Sequence, residues 1–383
     1  MSKKLIYLDY NATTPVDKRV LEIMLPYFSE KFGNAASHTH AAGWTANRAV
    51  ENAREQVSKL IDCEAQEIIF TSGATEAINL AIKGVFEAYK TKGKHIITYA
   101  TEHKAVLDTC KYLEESGAEV DYLPVDSEGL PDLQLLAKTI REDTILVCAM
   151  HANNETGAIF PIKEIAQLVH AKKSILFCDA TQAVGKVMID VQDEGIDLMC
   201  LSAHKIYGPK GAGALYIRRK NPRVTLLPQM HGGGHERGLR SGTLNVTGIV
   251  GLGQACTIAG DEMWDDAQKL SMLRTLLEQS LLDLGNVFVN GSQKQRLPHI
   301  TNLAFAGIKA DKLIAQLPHI ALAMGSACTS ALPEPSHVLK AMGREQYANS
   351  SVRFSLGRFT TKEEIETVIK QLSEAVRKLR SEN

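Results

Sequence analysis

Residues 67–84 read Glu-Ile-Ile-Phe-Thr-Ser-Gly-Ala-Thr-Glu-Ala-Ile-Asn-Leu-Ala-Ile-Lys-Gly. An apolar run at 67–70 gives way to Thr71-Ser72-Gly73-Ala74-Thr75 and then to an amphipathic stretch at 76–90. That is a strand, a polar turn and a helix, and the unit recurs. Strand-like runs fall at 67–70, 95–100, 119–125, 144–150, 175–178, 197–203 and 214–218. Amphipathic stretches at 76–90, 104–116 and 162–171 lie between several of them. Nearly continuous apolar strands alternating with helices predict an α/β fold with a mostly parallel sheet covered on both faces. After Gly253 the rhythm changes: a helical pattern at 263–284 leads to short apolar runs at 287–290, 300–306 and 351–356, and a last helix at 361–379. A second, smaller α+β domain is expected, with 15–255 forming the large domain and 1–14 with 256–383 the small one.

The chain has 383 residues, 43 Lys plus Arg against 44 Asp plus Glu, and 44% hydrophobic residues, enough for a sizeable core. Its net charge of -1 argues against binding led by a nucleic-acid backbone or an anionic membrane surface. No apolar run approaches the ~18 residues of a membrane-spanning helix. The N-terminal apolar run is broken at Asp9, too early for an export signal, so a cytoplasmic protein is expected. Seven cysteines, none in a C-x-x-C pair, fit reduced thiols. Cys148, Cys178 and Cys200 sit in apolar runs and read as buried. Cys328, in Gly325-Ser326-Ala327-Cys328-Thr329-Ser330, has only small neighbours and reads as an accessible thiol.

In open α/β sheets a ligand binds outside the carboxyl ends of the strands. Phe70 is followed by Thr71-Ser72-Gly73-Ala74-Thr75, Ala100 by Thr101-Glu102-His103, and Met150 by His151 and Asn153-Asn154-Glu155. Cys178 is followed by Asp179, Thr181 and Gln182, and Leu201 by Ser202, His204 and Lys205. Hydroxyls, imidazoles, amides, a carboxylate and a lysine thus collect on one edge and predict a polar site. The turn at 71–76 opens a helix whose free N–H groups suit a phosphate, although a Ser/Thr cap with Glu76 in the first turn accounts for the segment by itself. It matches neither the dinucleotide nor the Walker pattern.

Asp179 has a loop cap as its plain alternative. A lysine such as Lys205 at the end of a buried strand is costly unless paired or used covalently. Phosphate pocket, carboxylate and lysine together meet the requirements of pyridoxal 5'-phosphate: phosphate anchor, partner for the pyridine nitrogen, and Schiff-base amine. His103 is placed to cover the ring or to cap the next helix. His231-Gly-Gly-Gly-His235 has metal-like spacing, but no further ligands complete a tetrahedral set, and no metal is expected. Arg237, Arg240, Ser241 and Thr243 follow it and offer an anion site. Arg353 alternates with Val352 and Phe354, so it is either an exposed strand arginine or a fork for a substrate carboxylate.

Beyond these single residues, the chain carries YLDYNATTP (7–15), FTSGATEAINLAIKG (70–84), TEHKAV (101–106), NNETGAI (153–159) and DATQAVGK (179–186). It continues with LSAHKIYGPKGAGALY (201–216), HGGGHERGLRSGT (231–243), GSACTS (325–330) and VRFSLGR (352–358). With these segments in order over nearly its whole length, the sequence resembles the NifS/IscS-like cysteine desulfurases. These are pyridoxal-phosphate enzymes of the aspartate-aminotransferase fold type.

The resemblance implies that Lys205 carries the cofactor, Asp179 pairs with its pyridine nitrogen, Gln182 bonds its phenolic oxygen and His103 stacks on its ring. Ala74, Thr75, Ser202 and His204 would hold the phosphate, with Thr243 supplied by the second subunit of a homodimer. Asn154 would touch cofactor and substrate, and with Arg353 would bind the carboxylate of L-cysteine. Cys328 would be the nucleophile, taking the sulfur as a persulfide while alanine leaves, with His103 helping to stabilise its thiolate. A sulfur-acceptor protein would then take the persulfide sulfur, for iron–sulfur cluster assembly or for tRNA or DNA thiolation. Family members serving the iron–sulfur scaffold carry a longer tail than this chain, which ends at Asn383, so a thiolation acceptor becomes the more credible expectation. A selenocysteine lyase or an aminotransferase of the same fold type is the alternative. A non-enzymatic regulator would lack Lys205 or Cys328, and both are present.

Overall fold

The computed structural model describes residues 5–324 and 336–382. Its strands are β1 (Ile6–Tyr7), β2 (Ile68–Thr71), β3 (His95–Tyr99), β4 (Glu119–Leu123), β5 (Thr144–Met150) and β6 (Ile175–Asp179), then β7 (Leu198–Ser202), β8 (Gly213–Ile217), β9 (Val287–Val289), β10 (Ile300–Phe305), β11 (Ile320–Ala321) and β12 (Ser351–Ser355). Seven of them form one sheet in the order β2-β8-β7-β6-β5-β3-β4. The pairings among β3, β4, β5, β6 and β7 are parallel, and β8 runs antiparallel to both neighbours. Because β8 reverses twice, β2 ends on the same edge as β7 and the other parallel strands. Every position of β2, β3, β5, β6, β7 and β8 is buried, as expected where helices cover both faces. Edge strand β4 instead exposes Glu119 and Asp121, charges that discourage further strand pairing.

The mostly parallel α/β sheet expected from the alternating runs is therefore present, with bounds within a residue or two. Of the elements outside that pattern, two helices matter most for the cores. The helix Ala41–Leu60 was not marked by the sequence pattern, because its buried face is built of Ala46, Ala49, Ala53 and Val57 rather than large apolar residues. It packs on a 37-residue helix, Val246–Leu282, that begins well before the expected residue 263. Gly248, Gly251 and Gly253 disguise that start. A Cβ on Gly253 would lie 2.7 Å from Ala53 Cα, so the glycine is a close helix–helix contact rather than a turn.

The long helix serves two cores. Ile249, Leu252 and Cys256 join the core on one face of the large sheet, whereas Leu270, Leu273 and Leu277 join a separate core. That core also holds Ile6, Leu8, Phe305, Phe354 and Leu372. It surrounds the antiparallel sheet β12-β10-β9 and the parallel pair β1–β11. Asp9 bridges Ser355, which brings residues 9–15 onto the edge where the large sheet's strands end. Among the described residues no helix is long and apolar enough to cross a membrane.

Candidate active site

A cleft of about 530 Å³ opens at the carboxyl ends of β2, β5, β6 and β7. That is a usual size for a small-molecule site. Ala74, Thr75, His103, Asn154, Asp179, Gln182, Ser202, His204, Lys205 and Arg353 all line it. Of the residues expected from the sequence, Thr243 is exposed and is not among the lining residues. Cys328 lies outside the described residues.

The helix Ala74–Tyr89 starts at this cleft. Its cap is Gly73, with φ +155, and no side chain caps its first N–H groups. The Ser/Thr cap that would account for the segment by itself is thus not made: Thr71 Oγ1 donates to the Gly73 carbonyl instead. The N-terminal N–H groups and the positive dipole end remain available to an anion. Ser202 lies next to this turn, its Oγ 3.7 Å from where a Gly73 Cβ would stand. His204 Nδ1 is 3.2 Å from Thr13 Oγ1. Burial first, then Lys205, Lys210 and Lys186, push the His204 pKa down to about 4, so its imidazole is neutral at neutral pH.

Lys205 ends a one-turn helix directly after β7, and its Nζ donates to the carbonyls of Asn11 (2.5 Å) and Ala12 (2.8 Å). Asp179, the last residue of β6, is buried and accepts from Thr181 N (3.0 Å) and Cys200 Sγ (3.2 Å). His103 makes the helix cap of one sequence reading and also faces the cleft. It caps the helix Lys104–Glu115, Nδ1 accepting from Ala105 N at 3.1 Å, and it lines the cleft. With Nδ1 an acceptor, the neutral ring carries its proton on Nε2.

Arg353 is buried, at 1% exposure, so it is not the exposed strand arginine of the first sequence reading. Nη1 donates to the Asn154 carbonyl (2.9 Å) and Nη2 to Asp9 Oδ1 (2.6 Å). Nε has no partner among the described residues. A buried guanidinium with donor capacity to spare suits a carboxylate ligand.

Asn11 was only part of an irregular stretch in the sequence, yet it is the hub of the site. Its carbonyl accepts from Lys205 and from Gln182 Nε2 (3.0 Å), and its Nδ2 donates to the Asn154 carbonyl (3.0 Å). Its Oδ1 faces His299 Nε2 at 2.7 Å, and its N–H donates to Ser355 Oγ (3.0 Å). A single asparagine in a segment without periodicity gives no sequence signal for such a role. Glu102 and Glu155, which follow β3 and β5, are buried carboxylic acids to which the sequence assigns no role. Glu102 is fully buried; burial and then Asp179 hold its pKa well above the carboxyl range. Glu155 accepts from Ser336 Oγ (2.5 Å), and burial raises its pKa to about 7 against the lowering effects of Ser336, Arg353 and His103.

These residues fit pyridoxal phosphate: an uncapped helix N-terminus for the phosphate, a buried carboxylate for the pyridine nitrogen and a lysine within the same cleft. Among the described residues no group of His, Cys, Asp and Glu is gathered to hold a metal ion.

Residues 6–368 match the profile of the class-V aminotransferases. The chain belongs to that family, whose members depend on pyridoxal phosphate. Within it the chain stands with the cysteine desulfurases. It is 55% identical over 379 residues to the cysteine desulfurase IscS of Anaeromyxobacter sp. (strain Fw109-5), covering 98% of this chain and 93% of that protein. A solved NifS-like protein superposes with a TM-score of 0.91 at 40% identity, covering 97% of this chain and 99% of the other. A structure of SspA in complex with cysteine gives a TM-score of 0.82 at 37% identity, over 93% and 100% of the two chains.

Proposed function

We propose that the cleft binds pyridoxal phosphate and L-cysteine and that the chain passes the cysteine sulfur to Cys328, releasing alanine. The observation that carries this reading is the meeting of Lys205, Asp179 and the uncapped helix N-terminus in one cleft. When bound, the cofactor supplies an electron sink that acidifies the hydrogen on the Cα of an amino acid. Lys205 Nζ is the base that takes that proton and returns it. Asp179 keeps the pyridine nitrogen protonated, and Gln182 donates to the phenolic oxygen. Ala74, Thr75, Ser202 and His204 hold the phosphate, and His103 covers the ring. Arg353 and Asn154 bind the substrate carboxylate. The Cys328 thiolate then attacks the substrate sulfur: an S–S bond forms, the C–S bond breaks, and its electron pair stays with carbon, which gains a proton.

The other cysteines speak for Cys328 by their surroundings. Cys110, Cys148, Cys178, Cys200 and Cys256 are buried, and Cys63 is half-buried. Burial raises the pKa of Cys63, Cys148, Cys178, Cys200 and Cys256. None lines the cleft. A thiol must ionise to be a nucleophile, and burial disfavours that for these five.

The proposed working form is a homodimer in which Thr243 completes the phosphate site of the other subunit. Thr243 is exposed, and so are the large apolar side chains Phe28 (64%), Phe32 (74%) and Trp44 (56%). Apolar surface of that kind marks interfaces. The domain division proposed is 15–255 against 1–14 with 256–383, the long helix crossing the boundary. A cytoplasmic sulfur-acceptor protein, for cluster assembly or nucleic-acid thiolation, is the proposed recipient.

The test is single-turnover chemistry on the protein loaded with pyridoxal phosphate. L-cysteine should yield alanine and a persulfide that peptide mapping places on Cys328. Cys328→Ser should bind the cofactor yet lose both products, and Lys205→Ala should lose turnover. Persulfide on Cys63, Cys110 or Cys256, or full turnover by either variant, would overturn the reading.

A further inference from the structure

Lys186 takes no part in the chemistry above, yet its amine donates to Gln182 Oε1 over 2.9 Å. Gln182 Nε2 donates to the Asn11 carbonyl over 3.0 Å, and the same carbonyl accepts from Lys205 Nζ. Lys186 and Lys205 also line one small cavity of about 30 Å³, room for a water or two, and Lys205 opens from it into the cleft.

The two ends of an amide side chain are told apart by their partners. The Asn11 carbonyl can only accept, so Nε2 must face it and Oε1 must face Lys186, which supplies the donor. Gln182 is buried at 6% exposure, and Lys186 is the only donor to its Oε1 among the described residues. Nε2 carries two hydrogens. Asn11 takes one, and one is left for a ligand in the cleft that Gln182 lines.

We infer that Lys186 is a positioning residue for the cofactor: it locks the amide of Gln182 so that an N–H, not a carbonyl, meets the phenolic oxygen. This rests on the pyridoxal-phosphate reading of the cleft. The charged or titratable groups around Lys186 are Lys205, Arg353, His204 and His299, with Asp266, Arg358, Tyr10 and Tyr207 across the small cavity. Burial first, then Lys205 and Arg353, lower its own pKa well below that of a free lysine. Losing Lys186 removes the donor that holds this amide in place, and losing the N–H at the phenolic oxygen raises the proton affinity of the bound cofactor.

The experiment is a pH titration of the visible absorbance of the cofactor-loaded protein. Lys186→Met should raise the absorbance midpoint by about one unit, a tenfold change in proton affinity. Gln182→Ala should shift it in the same direction, and the double variant should go no further than the larger single shift. Lys186→Arg, which keeps a donor, should stay near wild type. An unshifted midpoint in Lys186→Met, or additive shifts, would overturn the inference. If the methionine variant does not fold, Lys186→Gln serves: its amide can still donate, so a midpoint near wild type is expected and one matching Gln182→Ala refutes. A wild-type protein that takes up no pyridoxal phosphate would sink the cofactor reading instead.

Discussion

Glu155 sits beside Asn154 and ties Ser336 to the site, and its carboxyl titrates at about 7 against an ordinary value of 4.5. The native state therefore keeps a proton that the unfolded chain gives up between those values. The contribution to stability is full below about pH 4.5 and is lost as pH rises through about 7, roughly 3 kcal/mol in all. Glu155→Gln keeps an acceptor for Ser336 and removes this slope. Its melting temperature should gain on the wild type between pH 5 and pH 8; an equal difference at both pH values would refute the assignment. Nothing in Asn-Asn-Glu-Thr indicates a protonated acid, because the shift comes from burial that the sequence does not state. Lys205, Asp179 and His103, by contrast, were legible, since each follows an apolar run that ends at the ligand edge. Asn11 and Lys186 were not: one lies in a stretch without periodicity, and the other reaches the site through Gln182 alone.

Strand β8 supports the turn proposed to hold the phosphate through a missing side chain. A Cβ on Gly213 would stand 2.6 Å from Gly73 Cα and 2.8 Å from the Leu201 carbonyl, both backbone and unable to yield cheaply. Gly213→Ala should push the turn away from Ser202 and weaken cofactor binding, with a stability cost of about 1–3 kcal/mol. Equilibrium binding of pyridoxal phosphate and a melting curve measure the two; unchanged affinity would show that the turn does not depend on this contact. Elements with large apolar residues, such as β5 and the helix Ile162–Ala171, match the sequence pattern residue for residue. Where the contact is made by alanine and glycine, as between Ala41–Leu60 and Val246–Leu282, close backbone approach replaces hydrophobic bulk and the pattern fades.

The proposed homodimer with shared sites has a consequence for mixtures of damaged chains. Mixed dimers of Lys205→Ala and Thr243→Ala subunits would carry both lesions in one site and none in the other. Mixing two weakly active proteins under conditions where subunits exchange should therefore restore up to half of the wild-type activity per mixed dimer. If exchange is demonstrated by mass and no activity returns, Thr243 does not cross between subunits. The separation of the chain into an α/β and an α+β part was visible in the change of rhythm after Gly253. The single helix running through both cores was not, since periodicity marks a helix but not the neighbours it will serve.

Asn11 bonds to Ser355, and Asp9 to Arg353, each across 344 positions of the chain. At about 5–20 residues added per second, a ribosome takes on the order of tens of seconds to travel between those partners. The large sheet, complete at Ile217, can form well before then, whereas Ile6 and Leu8 have no core until the last strands emerge. Nascent chains would thus carry a finished scaffold and an open pocket for much of their synthesis. Capture of the proposed cofactor would then be a late event, waiting on residues 351–355.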